Sequence, residues 1–198
     1  VEETVTEKAY RRETNTERNT VTGHKTEGVT DLVDAGVIVN KILEEVFSDV
    51  DLYNDQIRLL QYPFTSPIGK NAIAFYRFYI IDTLMVGNER CIHLDFIPNN
   101  QQDFGFRGSL YVLADTSLHV RRCQLTIPKK SDVNWVDAMT IDLEYEKLPS
   151  GEWVLTQDDM FCELSILQFI PKAVAFRTTR RTDYSFDHLP DNLFSGMG

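Results

Sequence analysis

Apolar and polar positions alternate through most of the second half of the chain. In WVDAMTIDLEYEK (135–147), Met139, Ile141, Leu143 and Tyr145 share one parity while Thr140, Asp142, Glu144 and Glu146 share the other. That is the period of a strand with one dry and one wet face. Strand-like runs precede and follow it: AIAFYRFYIID (72–82), RCIHLDFIP (90–98), GFRGSLYVLA (105–114), LHVRRCQLTIP (118–128), EWVLTQDDMFCELSI (152–166) and KAVAFRTTRRTDYSF (172–186). The connections VGNE (86–89), NNQQD (99–103), ADTS (114–117), KKSDVN (129–134) and LPSGE (148–152) are short and turn-rich. Parallel neighbours need a longer crossover, so the pattern predicts an antiparallel meander of about seven strands. On this reading NNQQD is the turn of a hairpin, and Gly105 and Gly108 relieve strain or allow a bulge where the sheet bends.

The period changes upstream. Leu32, Val33, Val37, Ile38, Ile42, Leu43 and Val46 recur at three and four, which predicts an amphipathic helix over 31–47 with Thr30 or Asp31 as its N-cap. The polar stretch SDVDLYND (48–55) ends it, and YPFTSPIGKN, with Pro63 and Pro67, predicts an extended connection into the sheet. Residues 1–30 are mostly Thr, Glu, Arg and Asn, too polar to fold alone, although the spacing around Val5–Arg12 allows an edge strand. The expected architecture is α+β: a polar N-terminal segment (1–30), then one domain (31–198). In it a curved half-barrel sheet (72–186) is covered by the helix, leaving a concave apolar face.

Composition narrows the partners. A formal net charge of -10 argues against a phosphate-neutralising surface, and hence against nucleic acid. The dense basic site Arg177, Arg180, Arg181 is expected to be a solvated strand end. Cys91, Cys123 and Cys162 lie far apart, without zinc spacing, and each falls in a predicted strand as a small buried hydrophobe. No apolar run is long enough for a membrane-spanning helix, and the chain starts at Val1 without an initiator Met, which gives it the look of an excised piece.

Candidate chemistry is sparse. His24, His93, His119 and His188 are isolated, although His93 and His119 can meet across strands. Asp49, Asp51, Tyr53 and Asp55 imitate the start of a calcium loop, but Asn54 replaces its glycine and Leu60 its bidentate glutamate, so a polar helix exit is expected. Asp158 and Asp159 beside Glu163, or Asp95 beside Asp103, are carboxylate pairs that serve acid–base work only if the fold turns them to one substrate. No nucleophile elbow, phosphate loop or dinucleotide fingerprint is present, so no catalytic residue, metal or cofactor is expected. Phe104, Phe106, Trp135 and Trp153 either ring the mouth of an apolar cavity or pack in the core.

Three blocks carry a resemblance: FTSPIGKNAIAFYRFYIIDT (64–83), CIHLDFIPNNQQDFGFRGSLYVLAD (91–115) and VNWVDAMTIDLEYEKLPSGEWVLTQDD (133–159). They resemble an uncharacterised family of Bacteroidota outer-membrane proteins in which a carboxypeptidase-regulatory-like β-domain precedes this region and a membrane β-barrel follows it. The strand order is also similar to that of LolA-like lipoprotein carriers. The resemblance implies a periplasmic part of an outer-membrane protein, attached to the membrane through regions outside this sequence, and with no catalytic motif in the chain this part is expected to be non-enzymatic. The expected role is in envelope assembly, transport or protein interaction; the alternative is a carrier or sensor of a lipid or other apolar ligand.

Overall fold

The computed structural model describes residues 2–14, 16–26, 44, 46–100, 105–127, 136–165 and 173–194. The chain divides into two compact units, one of residues 39–182 and one of residues 1–38 with 183–198.

The larger unit contains a seven-stranded antiparallel meander. Its strands, in spatial as well as chain order, are β5 (Tyr76–Val86), β6 (Glu89–Pro98), β7 (Arg107–Leu113), β8 (Val120–Ile127), β9 (Val136–Lys147), β10 (Trp153–Leu164) and β11 (Ala173–Arg180). The sheet is not closed: β5 and β11 are its two edges. The strand count and pairing follow the predicted runs, because every link is too short to do anything but double back. Two links use left-handed glycines, Gly87 at φ 59° and Gly151 at φ 105°, in the VGNE and LPSGE turns. The last strand ends at Arg180 instead of running to 186.

The inner face of β9 presents Met139, Ile141, Leu143 and Tyr145, all buried, as the alternation requires. They join one hydrophobic cluster with Phe96, Phe106, Leu110, Cys123, Leu125, Met160 and Cys162. The cover over this face is described only in part. Most of the predicted 31–47 helix lies outside the described residues, where only Glu44 and Val46 are seen as helical. The described cover is the 46–75 segment, which sends Val46, Val50, Leu52, Ile57, Leu59, Phe64 and Ala72 into the same cluster.

Within that segment the first four residues of the expected extended connection form a strand, β4 (Tyr62–Thr65), which pairs with the preceding β3 (Gln56–Leu59) in a hairpin. Its turn is Leu60–Gln61, with φ 53° and 68°. Two-residue hairpin turns favour Asn-Gly because both central residues need positive φ, so nothing in Leu-Gln announced it. Leu60 packs against the core, and tertiary burial offsets the local strain. Residues 72–75, expected to begin the first strand, form instead a single helical turn, α1 (Ala72–Phe75). It closes a run of tight turns in which the Gly69 N–H donates to Ser66 O and the Ala72 N–H to Gly69 O. The next residue fixes where the strand starts. The buried Tyr76 hydroxyl donates to Thr65 O at 2.5 Å and accepts the Phe106 N–H at 3.2 Å.

The hairpin reading of NNQQD holds, since β6 and β7 pair from Phe96↔Gly108 to Cys91↔Leu113. Asn99 ties its start to α1: its side-chain amide donates to Ala74 O at 2.8 Å and its Oδ1 accepts the Arg77 Nε–H at 3.0 Å. Gly108 acts differently from the expectation. The ladder through Gly108 is unbroken, and a Cβ there would lie 1.8 Å from Gln124 O, so close approach of β8 is what requires glycine.

In the smaller unit, residues 2–26 form a hairpin of β1 (Glu2–Arg11) and β2 (Thr16–Thr26), so the possible edge strand pairs with its own neighbour in sequence. β-branched Thr suits its largely exposed faces. The Arg11 guanidinium stacks over the Phe194 ring at 4.5 Å, and Arg18 Nη1 donates to Leu193 O, both in the short 3-10 turn Asp191–Phe194.

Candidate functional site

The wet face of the sheet carries a continuous polar row, set by register. Asp82 pairs with His93, His93 with Tyr111, Tyr111 with Arg122, Arg122 with Glu144, Glu144 with Gln157 and Gln157 with Arg180, one residue from each of the seven strands. Beside it runs a second row, Tyr79, Asp95, Ser109, Gln124, Asp142, Asp159 and Thr178. Side chains bond between the rows and along the second. Arg122 Nη2 reaches Asp142 Oδ1 at 3.1 Å, Gln124 donates to both oxygens of Asp142, and Arg180 and Gln157 both donate to Asp159.

His93 sits where this lattice is most convergent. Its Nδ1 lies 3.2 Å from Asp82 Oδ1, its Nε2 lies 3.1 Å from Asp95 Oδ1, and its ring stacks on Tyr111 at 4.6 Å. Ser109 donates to the same Asp95 oxygen at 2.6 Å. The arrangement does not match an activated serine: the hydroxyl is turned to a carboxylate rather than to the imidazole that would take its proton. His119 is engaged separately, stacked on Trp153 at 5.6 Å.

A second polar cluster lies on the inner side, at the β10–β11 edge. Asp158 is 0% exposed and Arg177 Nη2 reaches its Oδ2 at 3.1 Å. Arg181 Nη2 lies 3.7 Å from that oxygen and 3.7 Å from Asp49 Oδ1. Arg177 also donates to Phe47 O and, at 3.4 Å, to Ser48 O, so the cluster fastens the turn that follows the helical Val46 to β11. Burial raises the Asp158 carboxyl above the usual aspartate range, against the opposing pull of Arg177 and Arg181. The basic trio is therefore not a solvated strand end: Arg177 and Arg181 turn inward to Asp158, and Arg180 is held by Asp159.

The other sequence candidates disperse. Strand alternation sends Asp158 inward, while Asp159 and Glu163 share the opposite parity and are half-buried, so that trio does not converge. Asp103 lies outside the described residues, as do Phe104 and Trp135. Phe106 is fully buried and stacked on Phe64 at 4.8 Å, whereas Trp153 is half-buried at the start of β10. The acidic series splits as a polar helix exit would. Asp51 Oδ1 accepts the Tyr53 N–H at 2.9 Å, Asp55 Oδ1 accepts the Lys70 N–H at 3.0 Å, and Asp49 goes to Arg181. Among the described residues no group of three His, Cys, Asp or Glu side chains has metal-holding geometry. The cysteines are free and buried, and burial pushes all three thiols up, that of Cys162 to about 12, away from nucleophile chemistry.

Sequence reasoning missed Asp82 and Tyr111 as neighbours of His93, Ser109 as the donor to its partner Asp95, and Arg122 as the next residue of the row beyond Tyr111. The parity of Ser109, Tyr111 and Arg122 was visible in the strand runs, but their register was not, and neither was the shift that turns Asp82 to this face. Searches of curated proteins and of solved structures find no match. A family of unknown function (DUF5686) matches residues 1–181, nearly the whole chain, and the chain belongs to that family.

Proposed function

We propose that the larger unit is a non-enzymatic protein-interaction module, working along the open edges of its sheet, within the periplasmic part of an outer-membrane protein. The envelope assignment rests on the three sequence blocks that resemble outer-membrane proteins. The interaction reading rests on one observation: large apolar side chains are exposed on the edge strands. On β5 these are Tyr79, Ile80, Ile81 and Met85, with Ile80 77% exposed. At the other edge Phe176 is 77% exposed, beside Val174 and opposite Phe161.

Edge strands template the pairing of further strands, and proteins that avoid this blunt them with charge, proline or short length. β5 is 11 residues long and holds only two charges, Arg77, which is bonded to Asn99, and Asp82, which is bonded to His93. The polar clusters, in contrast, are consumed by their own neighbours. A photo-crosslinker at Met85 or Phe176 of the full-length protein in its native envelope is expected to capture a discrete protein partner. Adducts no stronger than those from a core position such as Ile141 would end the interaction reading, and recovery of the parent protein in the cytosol would end the envelope assignment.

A carrier or sensor of an apolar ligand is favoured by a different feature. The inner-face side chains of the β5–β6 pair, Phe78 and Ile80 with the half-buried Leu94, continue the apolar surface out to the edge. Native mass spectrometry of protein taken from its own envelope separates the readings, since a stoichiometric lipid supports the carrier and a ligand-free mass removes it.

A further inference from the structure

We infer that the Asp158 cluster binds one internal water molecule, held between the two guanidinium groups and the carboxylate. Both arginines address the same oxygen, Asp158 Oδ2, at 3.1 Å from Arg177 and 3.7 Å from Arg181. Three buried atoms are thereby left over: Asp158 Oδ1, Arg177 Nε and Arg181 Nη1 have no hydrogen-bond partner among the described residues. Each belongs to a group already engaged at this one carboxylate, so covalent geometry keeps all three close to it. A buried polar atom without a partner costs more than ordering a water to satisfy it.

The unmet set, two donors and one acceptor, selects the ligand. A halide would satisfy the two N–H groups but sit against a fully buried carboxylate. A cation would satisfy Oδ1 but face two guanidinium charges. A water has two lone pairs for Arg177 Nε and Arg181 Nη1 and a hydrogen for Asp158 Oδ1, about the three bonds an internal water ordinarily makes. It would occupy the joint between residues 47–49 and the β10–β11 edge, because Arg177 also holds the Phe47 and Ser48 carbonyls and Arg181 holds Asp49. The site is independent of the interaction reading.

A crystal structure fine enough to show ordered solvent is expected to place one water within hydrogen-bond reach of at least two of the three atoms. In solution, magnetic relaxation dispersion should count one fewer long-lived water in the triple variant D158L/R177M/R181M, which removes the whole charged set without stranding a charge. A dry cluster whose three atoms pair otherwise, a halide at that position in a bromide-soaked crystal, or equal water counts in the two proteins would each overturn the proposal. If the triple variant does not fold, the crystal structure decides alone.

Discussion

Asp158 and Asp159 are adjacent on β10, and each meets an arginine from the β11 side of the sheet, but they lie on opposite faces. Asp159, on the wet face, is bonded by Arg180 and Gln157 in the open lattice that also holds His93 and Arg122. Asp158 is wholly buried with Arg177 and Arg181, and burial rather than pairing dominates its electrostatics. Identical chemistry thus has different surroundings: in water the pair is screened and adds little, whereas inside it is desolvated and its arginines also tie residues 47–49 of the cover segment to the sheet.

The largest test of this difference is Arg177→Met. It removes the nearest cation from a fully buried carboxylate and frees the Phe47 and Ser48 carbonyls, so urea unfolding should show a loss of about 3–5 kcal/mol. The next concerns pH. Because the folded Asp158 carboxyl is raised above its unfolded value, its contribution to stability is fully present below the unfolded value. That contribution is lost as pH rises through the folded one. Asp158→Asn removes the titration while Arg177 keeps its carbonyl partners and Arg181 keeps Asp49. The parent should therefore lose stability relative to this variant on going from acid to neutral pH; a difference that grows the other way would show that pairing outweighs burial.

On the wet face, Arg122→Gln should cost only about 0.2–1 kcal/mol, and the cost should shrink in high salt. A loss comparable to that of Arg177→Met would erase the distinction between the faces. Smallest of all, Phe176→Thr should shift stability by no more than about 0.5 kcal/mol, because the ring is mostly exposed, while weakening crosslinking at the β11 edge.

The meander was legible because its signals are local. Alternation from Met139 to Tyr145 and the Pro-Gly turn at LPSGE each specify a strand or reversal without reference to distant residues. The 56–65 hairpin was not legible, since Leu60 and Gln61 accept left-handed backbone only through packing of Leu60 on the core. The same holds for α1, where four residues with strand-like neighbours follow the turns around Gly69 instead.

The candidate site depended on register. The pairing of β5 with β6 shifts between Ile80 and Asp82, and this extra residue is what carries Asp82 to the face of His93. Without it the alternation would leave Asp82 on the apolar side. A second shift, between Tyr111 and Val112, lets Arg121 bulge from β8 toward Glu89 and Glu144, at 3.4 and 3.6 Å. Bulges leave no fixed mark in composition, so the polar rows could not be assembled from the strand runs alone.

By itself the sequence determined seven antiparallel strands, the dry side where alternation runs unbroken, as from Met139 to Tyr145, and where the meander reverses, because these follow from side-chain parity and link length. Only the tertiary structure decided which polar groups meet. Adjacent carboxylates went to opposite faces, a basic trio was divided between them, and a hairpin turn formed against its own preference, since each outcome depends on register and burial summed over residues far apart in the chain.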